Sequence, residues 1–128
     1  MILSNSIQIK NYKNFRAINM VWTQHVNKND IKFAFQEINA VLDDVTQPVC
    51  VVVDLRDNSF MPLAETFKGA VWGPHRHPNL MSWLIIGENT FARYVASMLD
   101  KFGEAKAIQW FSDEAEVDAY LKDNCPYA

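Results

Sequence analysis

Apolar and polar positions along this chain fall into a few clear periods. Residues 7–12 (IQIKNY) and 15–22 (FRAINMVW) alternate on either side of Lys13-Asn14, the pattern of a two-stranded hairpin with one solvated face. The period then changes. In NKNDIKFAFQEINAVLDDV, Ile31, Ala34, Phe35, Ile38, Val41, Leu42 and Val45 recur at three- and four-residue steps and predict one buried helical face. Asn29 is the expected cap, Asp30 suits the positive end of the helix, and Pro48 stops any continuation.

Residues 49–55 (VCVVVDL) are apolar on both parities and rich in β-branched side chains, as a central strand covered on two faces requires. Pro62 fits a first helical position, and Leu63, Phe67, Ala70 and Val71 trace a stripe that ends before Gly73-Pro74. Residues 80–86 (LMSWLII) predict another buried strand. Asn89 or Thr90 then opens a helix with Phe91, Val95, Met98, Leu99 and Phe102 inside, closed by Gly103. A strand at 106–111 leads to Ser112 as an expected N-cap and a final helix with acids in its first turn.

The order is ββαβαβαβα. Strands alternating with helices imply right-handed crossovers, so the expected fold is α/β: a mixed, mostly parallel five-stranded sheet with an antiparallel N-terminal edge strand and about four helices. The 128 residues suit one domain, with residues 124–128 as a loose tail.

Composition narrows the function classes. A net charge of −3, with basic residues scattered among acids, argues against nucleic acid as a partner. No basic start precedes an apolar segment, and the longest apolar runs are far too short to span a bilayer, so a cytoplasmic protein is expected. Two cysteines make no disulfide framework. Cys50 reads as a small buried hydrophobe, Cys125 as part of the tail, and a bridge between them is disfavoured.

In VWTQHVNKNDIKFAFQEI, VVVDLRDNSFM and WFSDEAEVDAYL the chain resembles the STAS-type domains, which include bacterial anti-sigma-factor antagonists. It is most similar to an uncharacterised bacterial branch that combines STAS-like and CRAL-TRIO-like features. The likeness covers nearly the whole length in element order and implies an α/β sandwich; it brings no chemistry with it. In the antagonists a strand ending in DL is followed by F-M-D-S-S-G, whose serine is phosphorylated. Here Phe60-Met61 is followed by Pro62, Leu63 and Ala64, so the phosphoacceptor hydroxyl is missing, and Ser59 lies upstream of its place.

Ligands of open α/β sheets sit beyond the carboxyl ends of the strands. That edge is expected to collect Arg56, Asp57, Asn58, Ser59 and Phe60, then Glu88, Asn89 and Thr90, then Ser112 and Asp113. Plain turn and capping chemistry accounts for each residue taken alone. Asp54 continues a buried strand and needs a partner, for which Arg56, two residues on, has the right parity.

A second cluster, WGPHRHPN, sets Trp72, His75, Arg76 and His77 side by side as a recognition surface. His-x-His supplies two ligands where an open zinc site needs three, so no metal is expected. No Ser elbow, reactive Cys or phosphate-binding glycine loop occurs, so neither a catalytic centre nor a cofactor is expected.

Two readings remain. One is a non-enzymatic regulatory module that acts through protein contacts, with a homodimer among its forms. The alternative is a carrier of a lipid or other hydrophobic small molecule, in a cavity lined by Trp22, Phe60, Phe67 and Trp72, as the CRAL-TRIO likeness implies; ordinary core filling is the competing account of those rings.

Overall fold

The computed structural model describes residues 7–23, 28–56, 77–87 and 108–126. They form strands β1 (Ile7–Asn11) and β2 (Ala17–Trp22), helix α1 (Lys28–Asp44), strands β3 (Val49–Asp54), β4 (Leu80–Ile86) and β5 (Ile108–Phe111), and helix α2 (Glu114–Asn124). The sheet order is β1-β2-β3-β4-β5. β1 pairs antiparallel with β2, and every later pairing is parallel. The mixed sheet and its antiparallel edge strand are those expected. The helices expected after Pro62 and after Asn89 or Thr90 lie outside the described residues, so two helices of the expected four are seen there.

The doubly apolar sequence of β3 has its reason in this order. With two strands on either side, all six of its residues are buried, and alternate side chains feed two separate cores. Val49, Val51 and Val53 face Ile31, Ala34, Phe35, Ile38 and Leu42 of α1. Cys50 and Val52 join Val117 and Leu121 of α2 on the other face. β2 departs from its expected half-solvated pattern for the same reason: it lies inside the sheet, and Ala17, Ile18, Asn19 and Met20 are all buried.

Other departures are local. α1 begins at Lys28, which puts Asn29 inside the first turn rather than at the cap, with Asp30 near the positive end as expected. Val41 is exposed although it shares the helical period of the core residues. Asp113, not Ser112, caps α2, accepting the Glu116 backbone N–H at 2.9 Å. Lys13 turns the hairpin with φ of 47°, in the left-handed region.

The register between β3 and β4 slips between Val49 and Val51, where Val49 pairs with Leu80 but Val51 pairs with Trp83. One extra residue in β4 lets Leu80 and Trp83 face the same core, while Met81 and Ser82 both turn toward the α2 side. Ser82 Oγ hydrogen-bonds the Tyr120 hydroxyl of α2 at 2.6 Å. Opposite this bulge lies Cys50.

The segment after α2 is tied down rather than loose as far as Pro126. Cys125 is fully buried and its backbone N–H donates to Leu121 O. Phe15 bridges Pro126, the Arg16 N–H donates to Cys125 O at 2.9 Å, and Arg16 Nε donates to Pro126 O at 3.1 Å.

Candidate functional site

Asp54 ends β3 in a buried position, where a bare carboxylate would be costly. The chain answers two residues later. The Arg56 backbone N–H donates to Asp54 Oδ1 at 3.0 Å; its Nε donates to the same oxygen at 3.0 Å and its Nη2 to Oδ2 at 2.7 Å. This is the forked pairing that suits a planar guanidinium and a carboxylate. The expected Asp54–Arg56 pair is therefore present.

It extends further than the sequence indicated. Arg56 Nη2 also donates to Glu114 Oε1 of α2 at 2.7 Å. Lys13, from the hairpin turn, reaches Glu114 Oε2 at 3.1 Å and Asp118 Oδ2 at 2.6 Å. The Tyr12 hydroxyl donates to Asp118 Oδ1 at 2.8 Å. Hairpin, central strand and last helix thus share one chain of charges. Tyr12 is buried, while Lys13, Arg56 and Glu114 are each about four-tenths exposed.

The field within the network holds its members charged. Burial pushes the Asp54 carboxyl upward, but the Arg56 hydrogen bonds and charge outweigh it and leave Asp54 below the ordinary carboxylate range. Arg56 and then Lys13 hold Glu114 low. The bond to Asp118 raises Lys13, and the bonds to Asp54 and Glu114 raise Arg56. Burial, followed by the Asp118 bond, drives the Tyr12 phenol well above its usual value and keeps it a neutral donor.

Of the second cluster, only His77 lies among the described residues. His77 stands before β4 and Arg56 after β3; since these strands run parallel, the two residues lie at opposite ends of the sheet. His77 does not share the rim with Arg56. Its Nδ1 accepts the Asn79 backbone N–H at 3.0 Å, which leaves the proton on Nε2 to reach Asp43 Oδ1 at 2.7 Å. Asn79 Nδ2 donates to Leu42 O at 2.8 Å, and Asn79 O accepts from Val49 N–H. His77 and Asn79 thus fasten the approach to β4 onto the end of α1. That work is structural, and it occupies both ring nitrogens.

Of the other residues singled out, Asp57, Asn58, Ser59, Phe60, Trp72, His75, Arg76, Asn89 and Thr90 lie outside the described residues. Trp22 belongs to the α1-side core at 2% exposure, as a core-filling aromatic does. No cluster of three His, Cys, Asp or Glu side chains able to hold a metal occurs among the described residues. Nor is any helix among them long and apolar enough to cross a membrane.

Tyr12, Lys13, Glu114 and Asp118 are not among the residues that the sequence singles out. The only trace of them was the acidic first turn of α2, which also serves simple helix electrostatics.

No protein-family model matches the chain, and no curated protein matches it. Among solved structures it is similar to the crystal structure of an uncharacterized protein of the DUF3478 family with a SpoIIAA-like fold, from Shewanella loihica PV-4. The TM-score is 0.65 at 13% sequence identity, over 90% of this chain and 91% of that one. The chain therefore has a SpoIIAA-like α/β fold.

Proposed function

We propose that this domain is a non-enzymatic regulatory module of STAS-like type, that it acts through protein contacts, and that it does so without a phosphoacceptor serine. The charge network at the end of β3 carries the reading. Asp54 and Glu114 are held ionised and Lys13 and Arg56 are held protonated, so each is moved away from the neutral range in which an acid–base catalyst must exchange its proton. Locked charges, half exposed and braced by three separate elements, instead present a fixed pattern to a complementary surface. The partner in this reading is a protein, a second copy of the chain included. Catalysis, a cofactor, a nucleic-acid partner and a membrane span have no part in it, and its setting is cytoplasmic.

A photo-crosslinking residue tests this when placed at Ser112, exposed beside the network, or at Gln36, exposed on α1. In the producing cells, the Ser112 position is expected to give one product of defined mass that disappears when Arg56→Glu is added. The Gln36 position is expected not to give it. Identical products from both positions, or a Ser112 product indifferent to Arg56→Glu, would contradict the reading.

A further inference from the structure

Far from that network, at the other end of β3, the two cysteines of the chain meet. Cys50 Sγ and Cys125 Sγ are 2.9 Å apart, both thiols free and both fully buried. The gap exceeds an S–S bond of about 2.05 Å by less than an ångström. It is well below the roughly 3.8 Å that two sulfurs keep around one tetrahedral zinc ion. The separation suits a covalent bond between the sulfurs and does not suit a shared metal.

The two sulfurs share one hydrogen bond in which either can be the donor. The bond to Cys125 and then burial raise the Cys50 thiol, the bond to Cys50 lowers Cys125 against its burial, and the Arg16 charge favours the thiolate on both sulfurs. Met81 Sδ lies 3.4 Å from Cys125 Sγ, on the bulge that turns Met81 and Ser82 toward this side. Arg16 clamps the site: its backbone N–H holds Cys125 O, its backbone O accepts the Cys50 N–H at 3.1 Å, and its guanidinium bonds Pro48 O and Pro126 O. Because both sulfurs are fully buried, a small reagent would have to reach them through local opening of the short segment around Cys125.

We propose that Cys50 and Cys125 are a reversible dithiol–disulfide pair, oxidised by small hydroperoxides, whose bond latches the segment after α2 onto the start of β3. The Cys125 thiolate attacks the peroxide, an S–O bond forms, the O–O bond breaks, and the alkoxide leaves with the Cys50 proton as an alcohol. The Cys50 thiolate then attacks the Cys125 sulfur; the S–S bond forms, the S–O bond breaks, and hydroxide takes a solvent proton and leaves as water. Two electrons pass from the sulfurs to the peroxide. A dithiol reductant reverses the step by exchange.

The test treats the folded protein with hydrogen peroxide, then unfolds it in denaturant and reads intact mass after thiol alkylation. The expected product is monomeric, lighter by two hydrogens and closed to alkylation, with a melting temperature higher by roughly 5–15 °C until a dithiol is added. Cys50→Ala, which removes the second thiol, is expected to strand a sulfenic acid on Cys125, trapped by dimedone, and to form it more slowly than the native pair is oxidised. Two thiols still open to alkylation, disulfides formed only between molecules, or a stoichiometric metal ion on the untreated protein would each overturn the proposal. The unmodified chain carries the main readout, so a variant that misfolds does not shield the idea.

Discussion

Arg56 holds Asp54 by three bonds at once, one from its backbone N–H and two from its guanidinium, while its Nη2 also reaches Glu114 at 2.7 Å. A buried strand end, a turn and a distant helix are thereby fixed by one side chain. Asp54 remains only 12% exposed on its side chain, so its charge depends on that grip.

Arg56→Ala is therefore expected to destabilise the fold by about 1–3 kcal/mol, because it leaves Asp54 ionised and unpaired. Arg56→Lys restores charge but not the fork and is expected to recover only part. By contrast Lys13→Ala, at an exposed pair, is expected to cost no more than about 1 kcal/mol. Urea unfolding of the three variants checks the order.

Acid stability follows from the same residue. The folded pKa of Asp54 lies below its unfolded value near 3.9, so its contribution is complete above that value and is lost as pH falls through the folded one. Stability measured against pH is expected to decline below about pH 4, and Asp54→Asn is expected to flatten that limb while lowering the plateau. An acid limb unchanged in Asp54→Asn would remove Asp54 from the account.

At the opposite end of the sheet, Asn79→Ala removes the amide that closes Leu42 O and is expected to cost about 1–2 kcal/mol. His77→Ala takes the acceptor from the Asn79 N–H and is expected to cost a similar amount. Neither change is expected to alter the metal content of the purified protein, which elemental analysis reads directly.

Arg16→Ala removes the guanidinium that ties Pro126 O, in the segment that carries Cys125, to Pro48 O before β3. Cys125 is expected to react with an alkylating agent at least about tenfold faster, the effect of roughly 1.4 kcal/mol less protection against local opening. An unchanged rate would mean that the segment opens by another route.

The legible part of this protein was what alternation and strand parity encode. β3 announced its central place by being apolar on both faces, and the Asp54–Arg56 pair followed from a buried acid with a cation at the same parity. Glu114 lies 58 positions from Arg56, Asp118 lies 106 from Tyr12, and Cys125 lies 75 from Cys50. No periodicity links positions so distant; topology alone brings them together. Cys125 was misread because a polar, proline-containing end resembles a loose tail, whereas Arg16 and Phe15 fasten it to the sheet. The bonds of His77 to Asp43 and Asn79 were not legible, because those partners are defined by the return of the chain past α1. Val41 shows the limit of helical period, which gives a face but not its width.

The most direct measurement is a carbon-detected NMR titration of the Asp54 and Glu114 carboxyl groups in the folded protein. Both are expected to titrate below the free-carboxylate values of about 4, with neither changing protonation between pH 5 and 8. A carboxyl group that titrates near neutrality would place a working acid or base at the end of β3 and contradict the binding role assigned to it.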